Sequence, residues 1–351
     1  MSKNILVFSD GTGQEGGVGN DTNIYKIFKM VEDRTSNQIA FYDPGIGTGW
    51  RKVTGSIGGK GISRNIQECY RFIFDHYEAG DQIFLLGFSR GAATVRSLSS
   101  FIHYFGILPK SRPELITRAY KIYQISDEDQ RKERADEFVR RHRAMWTKIK
   151  FIGCFDTVAA LGLPFESASV LLDGLPGFRH KFHNFTLSES VEYAYHALAI
   201  DDERKTFHPI LWDAGQTVRQ VWFSGMHTDV GGGYKEHGLS DIPLVWMTHM
   251  AVNHGLKIYP EFNKHNEVNI SEDADGFMHD SRGNWITGLY RQQVRAWEGR
   301  GEERPVIHES VLKRTRNESN ASNPSYEPWV KQLPHSIEPW VRYEDQAWRG
   351  R

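Results

Sequence analysis

The chain has 351 residues, of which 43 are Lys or Arg and 44 are Asp or Glu, so its formal net charge is −1. This balance argues against a nucleic-acid-binding protein and against a polybasic membrane patch, because both depend on an excess of positive charge. The length exceeds that of a typical single domain, yet an α/β fold with a large central sheet and insertions accommodates it. We therefore expect one elaborated core.

Signals for disulfides, export and membrane insertion are weak. Cys69 and Cys154 lie in apolar stretches without metal-ligand spacing, which predicts reduced, buried thiols. The amino-terminal stretch MSKNILVFSDGTG contains an apolar run too short for a signal peptide. No segment approaches the roughly 18 apolar residues of a membrane span. These features predict a cytoplasmic protein without stable membrane insertion, unless a secretion system that needs no signal peptide exports it.

Strands and helices alternate along the first 255 residues. NILVFSD, QIAFYDPG and DQIFLLGF predict three strands, and ISRNIQECYRFIFDHYEAG predicts an amphipathic helix before the third. Further strands are expected at KIKFIGCFD, RHKFHNFTL and TVRQVWFSG, and a helix at GLSDIPLVWMTHMAVNHGL. Such alternation predicts an α/β fold with a mostly parallel sheet and helices on both faces.

Two regions depart from this alternation. Residues 107–147 contain two helical patterns, and we interpret them as a helical cap inserted into a core of residues 1–255. Within the cap, one helical face either packs on the core or roofs a pocket, and a roof would favour medium-chain esters over acetate. This face comprises Leu115, Ile116, Ala119, Tyr120 and Tyr123. Residues 256–351 show no clear periodicity, which predicts an irregular extension packed on the core.

The stretch LLGFSRGA places Ser89 between Gly87 and Gly91, after an apolar strand and before a helix. In this context G-x-S-x-G is the pattern of a nucleophile elbow, a sharp turn that needs small residues and raises the serine above the sheet. The alternative is an ordinary strand-to-helix turn in which Ser89 only caps the helix. The context favours a catalytic serine.

A catalytic serine needs an imidazole to accept its proton and a carboxylate to orient that imidazole. Asp156 follows the strand KIKFIGCF, and His227 follows TVRQVWFSG. The carboxyl ends of parallel strands meet at one edge, and the order Ser, Asp, His is that of α/β-hydrolases. The alternatives are a structural Asp156 that caps a helix and a His227 that only donates hydrogen bonds.

Two backbone N–H groups should stabilise the oxyanion of such a site. We expect one from Arg90, the residue after the nucleophile, and the other from Gly11 or Thr12 in the glycine-rich loop after the first strand. Asp10 and Asp229 are expected to support the site, with Asp229 accepting N–H bonds from the Gly231 to Gly233 turn. The stretches DGTGQEGG, SIGGKGIS and GIGTGW lack phosphate-loop and dinucleotide patterns, so no cofactor is predicted.

Several motifs together resemble a known family. VFSDGTG, TNIYKI, GFSRGAATVRSL, FIGCFDTVAALG, HALAIDDERKTFHPILW and GMHTDVGGGY occur in the order found in the DUF2235 family of α/β-hydrolases, which includes the Tle1-type phospholipase effectors of type VI secretion. The resemblance covers roughly residues 3–255. It implies that Ser89 is the nucleophile, His227 the base and Asp156 the acid, and that the substrate is a carboxylic ester, with phospholipids the substrate of the secreted branch.

The sequence therefore favours a serine hydrolase that cleaves a small-molecule or lipid ester and needs no metal. An effector would also have a secretion or immunity partner. One alternative is a metal-dependent phosphoesterase that uses Asp10, Asp156, His227 and Asp229 as ligands at strand ends. Another is a non-catalytic binding module on the same fold. From its charged DDERK centre, HALAIDDERKTFHPILW is expected to form an ion-paired loop near the pocket.

Overall fold

A sheet of eight parallel strands forms the centre of the protein in a computed structural model. The structure describes residues 2–11, 17, 19–45, 59–158, 186–264, 268–283, 287–297, 299–301, 303–315 and 325–349. The strands follow one another across the sheet in the order β2-β1-β3-β4-β5-β6-β7-β8. They are β1 (Asn4–Ser9), β2 (Gln38–Asp43), β3 (Gln82–Phe88), β4 (Ile149–Phe155), β5 (Ala194–Ala199), β6 (Val218–Phe223), β7 (Val306–His308) and β8 (Ser336–Glu338).

Helices cover both faces of this sheet, which confirms the predicted α/β class. They are α1 (Asn23–Met30), α2 (Gly59–His76), α3 (Arg90–Phe105), α4 (Glu114–Tyr123), α5 (Glu128–His142), α6 (His227–Gly231), α7 (Gly238–Asn253) and α8 (Glu309–Lys313). Side chains alternate between the faces along each strand. Ile5 and Val7 of β1 join an apolar cluster with α2 and α3, whereas Leu6 and Phe8 join a second cluster with α1 and α7.

One strand differs from the sequence-based prediction. β5 is the segment AYHALA, whereas the predicted strand RHKFHNFTL lies mostly outside the described residues. Three of the six β5 residues are alanine, which favours helices over strands when taken alone. Burial between β4 and β6 decides the outcome, because a central strand packs on both faces and pairs along both edges.

The region interpreted as a cap packs beside α3. Leu115, Ile116, Ala119 and Tyr120 of α4 are buried in the same cluster as residues of α2 and α3. Aromatic contacts join α4 and α5 to Phe101 and Phe105, which lie at the end of α3 farthest from Ser89. The apolar face of α4 thus lies in the core, which removes the argument that it roofs a pocket.

Residues 256–351 are more regular than their sequence indicates. They supply β7 and β8, which extend the sheet beyond β6, and the short helix α8. Both cysteines are buried and free, as predicted. Among the described helices, none combines the length and apolar character needed to cross a membrane.

Candidate active site

The predicted catalytic residues follow three strands of the sheet. Ser89 follows β3, Asp156 follows β4, and His227 follows β6 after a short turn. Because the strands are parallel, these positions all lie at the carboxyl ends of the strands. At the same end, the strand order reverses between β1 and β3, since β1 pairs with β2 on one side and with β3 on the other. Open α/β sheets bind ligands at such a switch point.

The elbow at Ser89 has the strained geometry that its sequence predicts. Ser89 has φ 57° and ψ −120°, a left-handed conformation that non-glycine residues rarely adopt. Both neighbouring glycines are required by close contacts. A Cβ on Gly91 would lie 2.0 Å from the carbonyl oxygen of Ser9, and one on Gly87 would lie 2.6 Å from that of Gly91. The glycines therefore let α3 approach β1 and β3.

Asp156 and His227 form a buried hydrogen-bonded pair. His227 Nδ1 lies 2.6 Å from Asp156 Oδ2, and Asp156 is fully buried. This contact leaves Nε2 as the ring nitrogen available to accept a proton, since the bond to Asp156 fixes the Nδ1–H tautomer. The pair has the geometry that a general base and its orienting carboxylate need.

Ser89 is joined to this pair through its neighbours. Its main-chain N–H donates to the carbonyl of Phe155, the residue before Asp156, at 3.0 Å. The preceding residue, Phe88, places its ring centroid 4.7 Å from that of His227. Within the described residues Ser89 Oγ and His227 share no hydrogen bond, and in unliganded enzymes such bonds are often loose until substrate binds.

A buried arginine that sequence reasoning missed completes the pair. Arg295 Nη1 and Nη2 donate to the two carboxylate oxygens of Asp156 at 2.7 and 2.8 Å. Burial alone would raise the pKa of Asp156, but the charge of Arg295 and the hydrogen bonds from His227 and Arg295 hold that pKa well below its usual range. Arg295 belongs to the carboxy-terminal extension, where no motif or periodicity marked it.

The DDERK segment, residues 201–205, holds the backbone of His227. Asp202 accepts the His227 main-chain N–H at 3.2 Å and pairs with Arg204 at 2.6 Å. The Arg204 guanidinium lies 3.7 Å from the ring centroid of Phe207, and Phe207 in turn makes an edge contact with the His227 imidazole. The expected ion-paired loop is therefore present, and it holds the main chain of His227.

Of the three predicted oxyanion donors, Arg90 has the clearest geometry. As the first residue of α3 it carries an N–H without an acceptor inside the helix. The Gly11 N–H donates to Asp10 Oδ1 at 2.7 Å, so that group already has a partner, although a Cβ on Gly11 would lie 3.5 Å from Ser89 Cβ. Thr12 lies outside the described residues.

Asp10 orders the loop beside the elbow. Its carboxylate accepts from the hydroxyls of Thr22 and Tyr42 and from Gly11 N–H. Thr22 also caps α1 by accepting the N–H of Tyr25. Burial raises the pKa of Asp10 from 3.8 to about 6, despite these hydrogen bonds. The charge of Asp10 is thus costly in the folded protein, and its role as a support of the site stays a prediction.

We expect Asp10→Asn to flatten part of the pH dependence of stability. Because the pKa of Asp10 is higher in the folded state, folding takes up a proton between about pH 4 and 6, and the free energy of unfolding falls as pH rises through that window. The fall from Asp10 is at most about 3 kcal/mol. Urea unfolding from pH 4 to 7 should show a smaller fall in the variant. The fall in stability that remains in the variant comes from other groups such as Asp201. Burial raises the pKa of Asp201 to about 6 as well. An unchanged fall would contradict the assignment.

Asp229 supports the helix that carries His227, but with different donors from those expected. Its carboxylate accepts from the main-chain N–H of Met226 and from the N–H and Nδ1 of His279, rather than from the 231–233 turn. Gly231 has another role: a Cβ there would lie 2.0 Å from the ring of Phe88. Sequence reasoning missed His279, which like Arg295 comes from the extension.

The four carboxylate and imidazole groups of the metal alternative do not form a ligand set. Asp156 is occupied by Arg295 and His227, Asp229 by His279, and Asp10 by two hydroxyls. In the part of the chain that the structure describes, no three His, Cys, Asp or Glu side chains converge as metal ligands would. The geometry favours the hydrogen-bonded site over a metal centre.

A parallel sheet, a strained serine elbow and a buried His–Asp pair at the strand ends together define an α/β-hydrolase-like protein. Residues 3–250 match the family described as the type VI secretion system phospholipase effector Tle1-like catalytic domain. The chain belongs to this family, in agreement with the resemblance drawn from its motifs.

Three individual proteins are similar over parts of the chain. The uncharacterized protein YEL023C of Saccharomyces cerevisiae is 31% identical over a 230-residue alignment, and the match covers 58% of this chain and 32% of the yeast protein. A solved uncharacterized protein from Pseudomonas aeruginosa has a TM-score of 0.50 and 17% identity, covering 78% of this chain and 49% of its own. A Tle1 effector solved on the VgrG spike has a TM-score of 0.37 and 19% identity, covering 67% and 52%. The chain thus spans about a third of the yeast protein and about half of each solved chain.

Proposed function

We propose that the protein is a serine hydrolase that cleaves carboxylic esters through Ser89, His227 and Asp156. The observation that carries the proposal is the buried Asp156–His227 pair beside a serine held in the strained elbow conformation. Family membership supports the same reaction class, because the family is described by its phospholipase effectors.

The proposed reaction passes through an acyl-enzyme. His227 Nε2 takes the proton of Ser89 Oγ as that oxygen attacks the ester carbonyl, and the N–H of Arg90 donates to the resulting oxyanion. His227 then gives the proton to the leaving alcohol. A water molecule, deprotonated by the same nitrogen, attacks the acyl carbonyl and releases the carboxylic acid and Ser89.

For the substrate class we propose an acyl ester of a glycerophospholipid. This choice rests on the family description, since the apolar face of α4 packs in the core and says nothing about acyl chains. The family description also names type VI secretion effectors. Export with a secretion or immunity partner is accordingly a proposal that depends on the family alone.

A substrate panel with a chelator arm tests the proposal. We expect hydrolysis of medium-chain acyl esters and of phospholipid acyl esters, with rates unchanged after treatment with EDTA, because the proposed reaction needs only protein groups. Hydrolysis of a phosphodiester instead, lost with EDTA and restored by Mn²⁺ or Zn²⁺, would favour the metal-dependent phosphoesterase. Thermal stability is followed in the same samples, so that loss of a structural metal is recognised. Binding without any turnover would favour the non-catalytic module.

A further inference from the structure

We infer that Arg295 is a positioning residue of the proposed hydrolase site, and that the catalytic unit therefore extends beyond the family match at residues 3–250. The inference rests on the proposed function and adds to it a residue from the extension. Arg295 does not touch the reacting atoms; it acts through Asp156 on His227.

The contacts of Arg295 match the demands of such a role. The guanidinium binds Asp156 in a bidentate contact, which fixes the plane of the carboxylate and favours its ionised form. The same two nitrogens donate to the carbonyls of Ala199 and Phe207, so the guanidinium itself is anchored at the end of β5 and two residues after the DDERK segment. Arg295 is only 1% exposed, so bulk water competes little for these bonds.

Charge explains why Asp156 needs this partner. Asp156 is fully buried, and a buried carboxylate without a cation favours its protonated form. A protonated Asp156 would be a poor acceptor for His227 Nδ1–H and would not stabilise the imidazolium that forms during the reaction. Arg295 keeps Asp156 ionised before His227 takes up a proton. Asp201, Asp202 and His196 also interact electrostatically with these groups, and Arg204 in turn pairs with Asp202.

A cavity beside Arg295 allows its role to be tested by chemical rescue. A space of about 420 Å³ borders Arg295, and its lining includes Asp202 and the side chain of Val294, which is 54% exposed. Removing the Arg295 side chain would join the vacated volume to this space. A guanidinium ion from solution would then have a route to Asp156.

Arg295→Ala and Arg295→Lys test the role, with Arg314→Ala as the matched control. Arg314 is another buried arginine of the extension, and its Nη1 donates to the carbonyls of Ala274 and Gly276. We expect Arg295→Ala to lower kcat about 100-fold with little change in KM. The acid limb of kcat/KM should shift to higher pH. Guanidinium chloride, but not urea or sodium chloride, should restore part of the lost rate. Arg295→Lys should retain more activity than the alanine variant.

The Arg295 variants, compared with Arg314→Ala, either support or contradict the positioning role of Arg295. If Arg295→Ala folds and keeps the wild-type rate and acid limb, or if it behaves like Arg314→Ala with lower stability and no rescue, the inference is wrong. If Arg295→Ala does not fold, Arg295→Lys carries the same test through its acid limb. Failure of the proposed function looks different, because the wild type itself would then hydrolyse no ester. In that case the NMR signal of the His227 Nδ1 proton still reports on the inference: it should move in Arg295→Lys and stay in place in Arg314→Ala.

Discussion

Ser89→Ala is expected to lower the rate of ester hydrolysis by about 10⁴-fold or more and to abolish labelling by a fluorophosphonate. The physical reason is that the proposed acyl-enzyme forms on Ser89 Oγ. Replacing the triad serine lowers kcat of other hydrolases on this scale. Ser99→Ala is the matched control, because Ser99 lies in the same helix and its hydroxyl donates to the carbonyl of Arg96. The Ser99→Ala control should be labelled by the fluorophosphonate and should hydrolyse esters at the wild-type rate.

Stability measurements separate loss of the nucleophile from loss of fold. Ser89→Ala should unfold at nearly the wild-type denaturant concentration, since alanine suffers the same backbone strain as serine. Ser89→Gly should be equally inactive but more stable by about 1 kcal/mol, because glycine adopts φ 57° without strain. A folded Ser89→Ala protein that still labels at the wild-type rate would show that the elbow serine is not the nucleophile.

Gly91→Ala is expected to produce the largest loss of stability among small substitutions, on the order of 3–5 kcal/mol. The new Cβ would lie 2.0 Å from the Ser9 carbonyl oxygen and 2.6 Å from that of Asp10, so α3 would have to move away from β1. Both obstacles are backbone atoms, which cannot rotate aside as a side chain can. Urea unfolding monitored by tryptophan fluorescence measures the loss.

Gly215→Ala is the control for this prediction. A Cβ there would meet its nearest atom, Val218 Cγ2, at 3.7 Å, which is an ordinary contact. We expect a change in the free energy of unfolding within about 0.5 kcal/mol. Equal stability of the two variants would mean that α3 does not approach β1 as closely as the structure indicates.

The parallel sheet was predictable because its signals are local. Apolar runs such as NILVFS and QIFLLGF specify buried strands by themselves, and the sequence around Ser89 specifies a turn through its two glycines. β5 was missed because its alanines carry no strand preference and its burial depends on neighbours distant in sequence. The interpretation of 107–147 as a cap used helical periodicity, which indicates an apolar face but not its partner.

The same limit applies to the site. Strand ends predicted that Asp156 and His227 would meet, because parallel topology brings such ends together whatever the intervening sequence. Arg295 lies 139 residues from Asp156 in an irregular segment. The stretch RQQVRAW around Arg295 has no periodicity or motif, and only the folded chain shows that this arginine is buried against a carboxylate. Asp202 was partly predictable, because the charged DDERK segment indicated an ion-paired loop near the pocket.

Arg295 follows all three proposed catalytic residues in the sequence, which has a consequence for biosynthesis. Ser89, Asp156 and His227 all leave the ribosome before the residue that neutralises Asp156, and β7 and β8 follow later still. On the proposed role of Arg295, the nascent chain carries its nucleophile and base for the time needed to translate about 70 further residues without an ionised, oriented carboxylate; at about 5–20 residues per second this lasts several seconds. Hydrolytic competence would thus arise only after residue 295 has been translated and its segment has docked on Asp156.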